Sequence, residues 1–127
     1  MFIGPGGEMV GRLSSSTSAA EAIVLVAAEA QDVALDSLQD GRYDHQLVHR
    51  ASLLAAQAKV FVDDIAPRGA SLMYELGGAS STLRSTGLDK HWRNIVTLSS
   101  HNPAAFKARA IGDYLVNGTG LPGNIYF

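Results

Sequence analysis

The side chains best suited to chemistry lie in the second half of the 127-residue chain. His91-Trp92-Arg93-Asn94 is its densest run of unusual residues, and His101 follows ten positions after His91. An imidazole at a helix–helix corner can hydrogen-bond a ligand or exchange a proton near neutral pH. The same run also reads as plain architecture, because Asp89 and Arg93 stand four apart on a helix and can pair while Trp92 packs inward. Gly77-Gly78 lets backbone approach closely, either to another helix or, through its amides, to a cofactor phosphate. The hydroxyls of Ser80, Ser81 and Thr82 beside it can assist a phosphate or cap a helix. Neither a Walker A loop nor a GxGxxG fingerprint is present.

His45 and His49 share a helix face, but Gln46 stands where the zinc-protease helix motif has its glutamate. No obvious third ligand is near, and the chain has no cysteine, so no metal site, disulfide or thiolate chemistry is expected. Ten Lys and Arg against twelve Asp and Glu leave a net charge of −2. That balance offers no basic field to nucleic acid and no polybasic patch to a membrane. Hydrophobic residues make up 46% and mean hydropathy is +0.08, which fits a folded core of one domain. The N-terminus lacks a basic leader, and the longest apolar stretch, Ala22 to Ala28, falls far below the roughly 18 residues that would span a bilayer. The expected location is the cytoplasm.

Helices must position these groups. Residues 1–17, rich in Gly and Ser, read as a lead or linker with little structure, ahead of a helical domain over 18–127. Ser18-Ala19-Ala20-Glu21 fits a capping box. Ile23, Val26, Ala27, Ala30, Val33, Ala34 and Leu38 then recur at helical spacing, predicting a helix over about 19–39 that ends near Gly41. Asp44 can cap a second helix over about 45–66, in which Leu47, Ala51, Leu54, Ala55, Ala58, Phe61, Val62 and Ile65 keep the period until Pro67 stops it. A short connection between two such helices favours an antiparallel hairpin, and alanine along both seams permits close approach. Ser71–Leu76 is helix-compatible. Asp89 can cap a short helix carrying Trp92, Ile95, Val96 and Leu98. Asn102-Pro103 then opens a helix over about 103–117, with Phe106, Ala110, Ile111, Tyr114 and Leu115 inward and Gly118 at its end. No segment alternates like a strand, so the expected fold is all-α, an antiparallel four-helix bundle with one further short helix.

Leu88-Asp89-Lys90-His91-Trp92-Arg93-Asn94, then His101-Asn102-Pro103, then Lys107 and Ile111-Gly112-Asp113-Tyr114, resemble the C-terminal end of flavin-dependent monooxygenases built on the acyl-CoA dehydrogenase fold, the dibenzothiophene monooxygenase-like group. Tyr74-Glu75-Leu76-Gly77-Gly78-Ala79-Ser80-Ser81 is similar to the segment those proteins place just upstream. The resemblance is strong over about 71–118. It implies the C-terminal helical domain of a larger enzyme whose N-terminal helical and middle β domains are not encoded in residues 1–17. The chain would then be a partial product or a stand-alone remnant.

By the same resemblance, His101 matches the histidine facing the flavin's reactive edge, and Gly77 and Gly78 match the loop that approaches the cofactor from a neighbouring subunit. Arg93 matches a position near the pocket within a motif otherwise architectural, and Ser80 stands beside the glycines. The implied cofactor is FMN or FAD, shared with absent domains or a neighbouring subunit. The implied partners are a second copy in a dimer or tetramer, a small organic substrate, and a flavin reductase in the complete system.

Three functions follow from this reading. The first is oxidation of a small organic substrate by reduced flavin and oxygen, with His101 as the catalytic group and the isolated chain inactive. The second is the C-terminal domain of an acyl-CoA dehydrogenase, which removes an α-proton with a carboxylate. Many such enzymes carry a glutamate in the loop matching Ser99–Pro103, where this sequence has Ser-Ser-His-Asn-Pro and no acid. The third is a non-catalytic helical assembly module.

Overall fold

The computed structural model describes residues 5–77, 87–100 and 104–123. They form four helices, α1 (Pro5–Asp36), α2 (His45–Gly77), α3 (Leu88–Ser100) and α4 (Ala104–Asn117), with no strand among the described residues. The expected all-α fold is what forms. Its hub is α2: α1 runs along it, and α3 and α4 each pack against it.

The fully buried apolar residues of α1 and α2 are alanines, and some of them meet at the seam between the two helices. Ala27, Ala30 and Ala34 of α1 and Ala51, Ala56, Ala58 and Ala70 of α2 are all buried. Ala30, Ala34 and Ala51 form one cluster with Leu47 and Leu54 against it. Side chains of one methyl let the two backbones approach closely, and area buried in this way is the main term holding the pair together.

The connection reverses the chain tightly. Asp40 and Gly41 both have positive φ, 52° and 76°, as a type I′ turn requires. Gln39 and Arg42 exchange both backbone hydrogen bonds, at 2.8 and 3.0 Å, across it. The Ser37 hydroxyl donates to Ala34 O at the end of α1 and accepts from Asp44 N, so one side chain ties the two helix ends. Asp44 caps α2 as expected, its Oδ1 accepting from Leu47 N at 3.0 Å.

Two boundaries differ from expectation, for one shared reason. α1 begins at Pro5, so residues 5–17 of the segment expected to have little structure are helical and Ser18-Ala19-Ala20-Glu21 lies mid-helix rather than at a cap. α2 continues through Pro67 to Gly77 and absorbs Ser71–Leu76. These two extensions lie against each other: Leu13 of α1 meets Gly69 of α2, and the neighbouring Ala70 is buried. Proline removes one helical N–H. Around it Arg68 Nε donates to Asp64 O and Ser71 Oγ to Pro67 O, while the Arg68 guanidinium pairs with the Asp64 carboxylate.

α4 is rotated from the expected face. Ala110, Ile111 and Tyr114 are half-buried, but Phe106 and Leu115, expected inward, are exposed, and Lys107 is buried instead. Likewise Val26 and Val33 of α1, and Leu38 just beyond its end, expected in the core, are exposed. Gly118 ends α4 with φ 73°, its N–H bonded to Tyr114 O at 3.0 Å. Asn102-Pro103 and the Trp92 side chain lie outside the described residues.

Candidate functional site

An open cleft of about 710 Å³ separates α2 from the junction of α3 and α4. One wall is a single face of α2, on which Gln57, Val60, Phe61 and Asp64 recur at helical spacing, with Asp63 beside them. The other wall is Ser99 near the end of α3, then Ala104, Ala105, Ala108 and Ile111 of α4. Three alanines on that wall leave space that larger side chains would fill. The Ser99 hydroxyl is bonded back to Ile95 O at 2.7 Å, which orients it along its own helix.

Charge is concentrated beside this cleft. Lys59 Nζ lies 2.7 Å from Asp63 Oδ2, approaching off the hydrogen-bond direction so that the contact is one of charge, and donates to Leu98 O at 3.2 Å. Asp63 is nearly buried, with 12% of its side chain exposed. Lys107 is more extreme, at 4% exposed. Burial pushes its ammonium below the ordinary lysine value, the nearby Lys59 charge adds to that, and the Asp63 carboxylate opposes both.

The expected site residues are only partly visible. His101, Gly78 and Ser80 lie outside the described residues. Gly77 is the exposed last residue of α2 and Arg93 is exposed on α3, and neither lines the cleft. Ser99, two positions before His101 in the chain, and Ala104, three positions after it, both do. Lys59, Asp63 and Lys107 were not singled out as a group by pattern; the one available signal was the spacing of Lys107 with Ile111 and Tyr114 on a single face of α4.

His49 is accounted for structurally. Its Nε2 accepts from Leu121 N at 3.2 Å, and its ring lies 4.7 Å from that of Tyr114. No group of three or more His, Cys, Asp or Glu suited to a metal occurs among the described residues. No described helix is long and apolar enough to cross a membrane.

The cleft fits one part of a flavin. Its volume and its apolar wall of Val60, Phe61, Ile111 and alanines suit a flat ring, with Gln57 able to hydrogen-bond an edge. Its polar rim suits a phosphate poorly, because Asp63 and Asp64 are carboxylates and Lys59 is committed to Asp63.

Comparison with known proteins gives a consistent result. The family described as acyl-CoA dehydrogenase, C-terminal domain, matches residues 7–106, which includes most of the segment expected to be a lead. The chain is 38% identical over 47 residues, 37% of its length, to the dibenzothiophene monooxygenase of Mycolicibacterium goodii. It is 33% identical over 45 residues, 35% of its length, to the probable FMNH2-dependent monooxygenase SfnC of Pseudomonas putida. In each case the match spans 11% of the relative's length.

Proposed function

The chain belongs to the acyl-CoA dehydrogenase C-terminal domain family, and from that premise we propose that it supplies the helical wall of a flavin-dependent monooxygenase acting on a small organic substrate. The supporting observation is the cleft between α2 and the α3–α4 junction, bordered by Ser99 and Ala104, which stand two positions before and three positions after His101 in sequence. The names of the two relatives support the same chemistry. Reduced flavin, when bound, supplies the electrons that activate oxygen. The part of this chain is to pack an apolar surface against the ring, exclude water from it, and offer the His101 imidazole to hold or take one proton. Gly77, Gly78, Ser80 and Arg93 are the groups proposed to meet the cofactor elsewhere, across a subunit boundary.

In the complete flavoprotein, given reduced flavin and oxygen, His101→Ala is expected to cut turnover by about 100-fold or more, the usual contribution of a proton-transfer group, with the helical fold retained. Unchanged turnover rejects the role. The proposed assembly is a dimer or tetramer served by a flavin reductase. It is supported by apolar residues of α1 left in water, Leu25 at 61% and Leu35 at 59% exposed. A monomer by light scattering at high concentration contradicts it.

Acyl-CoA dehydrogenation is the second reading, favoured by the family description and by the two carboxylates on the cleft, Asp63 and Asp64. Each already has a cation, Lys59 and Arg68. Anaerobic reduction of bound flavin by an acyl-CoA favours this reading over the first. Saturable, stoichiometric flavin binding by the 127-residue chain alone counts against a purely structural module.

A further inference from the structure

Lys59, Asp63 and Lys107 carry charge inside the protein and take no part in the proposed proton chemistry. Lys59 is the connector. It contacts Asp63 one turn along α2, and its ammonium donates to the carbonyl of Leu98 in the last turn of α3. That carbonyl is among those a helix C-terminus leaves without an intrahelical partner, and a cation there also meets the negative end of the helix dipole.

Lys107 sits in the opening turn of α4, where the dipole disfavours a cation, and is almost wholly buried. Apolar side chains of similar volume at such positions usually stabilise a fold as well as a buried charge cluster does, or better. A lysine buried in the first turn of a helix, within the field of a second cation, is therefore a costly choice for packing alone.

We propose that Lys59, Asp63 and Lys107 are positioning residues of the cleft: Lys59, held by Asp63, fixes the end of α3 against α2, and the buried Lys107 sets the start of α4 beside it. Ser99 and Ala104, the borders of the cleft on that side, are what the cluster fixes. The proposal deepens the reading of the cleft as the site and rests on it for its purpose, since His101 lies between those borders in sequence.

Amide hydrogen exchange on the 127-residue chain tests it. Lys59→Met is expected to speed exchange about tenfold over Ile95–Ser100 and Ala108–Gly112, with Ala27–Ala34 of α1 keeping the parent rates. Lys59→Arg, which keeps the charge and a donor, is expected to restore protection. Asp63→Asn is the second variant and is expected to loosen the same two stretches. Acceleration spread evenly over α1, α3 and α4, or no change in either variant, overturns the proposal. Exchange needs no flavin, so its outcome is separate from that of the His101→Ala turnover assay.

Discussion

Leu13 and Gly69 meet across the α1–α2 seam: a methyl carbon built on Gly69 would stand 3.5 Å from Leu13 Cδ2. That is ordinary van der Waals contact, so the glycine is neither demanded by crowding nor by a left-handed backbone. It leaves two extended helix ends in register, one before Ser18 and one after Pro67.

Gly69→Ala is therefore expected to stabilise the protein. Alanine in a helix interior is better than glycine by about 0.5–1 kcal/mol, and the added methyl finds Leu13 in place. Thermal unfolding should shift upward by about 2–4 °C. A larger side chain at Gly69 should reverse the sign by forcing α1 away.

His49 anchors the segment beyond α4. Its Nε2 accepts from Leu121 N, and its ring packs on Tyr114. His49→Ala is expected to leave the four helices intact and to cost about 1 kcal/mol. The Leu121 amide should then exchange faster, which mass spectrometry or NMR reads directly. Unaltered exchange at Leu121 would show that Tyr114 packing alone holds the segment.

The alkaline side of the stability profile should report Lys107. Its value is lowered in the folded protein from the ordinary 10.5, chiefly by burial and then by Lys59, with Asp63 opposing. The unfolded chain thus binds more protons between the lowered value and 10.5, and stability rises with pH through that window. Lys107→Met removes the contribution. The variant is expected to unfold at higher temperature than the parent near neutrality, with the difference shrinking as pH approaches 10.5. A difference that stays constant with pH would refute this account.

Much of α2 could be read from pattern, because the stripe from Leu47 to Ile65 keeps helical spacing and each residue expected in it is at least half-buried. α1 is less legible. It carries apolar residues on several faces, and periodicity cannot choose between Ala27, Ala30 and Ala34, which are buried, and Val26 and Val33, which are not. Pro67 is a strong local stop signal that tertiary packing overrode, and the Ser18 capping box was a local match inside a longer helix.

The site was legible only where chemistry rests on residue type. His101 stands out in a sequence, and Ser99 and Ala104, two positions before it and three after, do border the cleft. Lys107 does not stand out, because a lysine is normally read as solvent-facing. Its burial depends on the rotation of α4 against α2, which shifts Phe106 outward and which no one-dimensional spacing of Phe106, Ala110 and Leu115 reveals.

With α1 and the α3–α4 pair each packed on α2, the molecule has a spine with separate attachments. A small turn of that spine about its own axis would move the alanine seam and the opposite cleft wall together, although the two share few direct contacts. Evolution can thus retune the cavity by substitutions made along Ala51 or Ala70, on the far flank, without touching a single lining side chain.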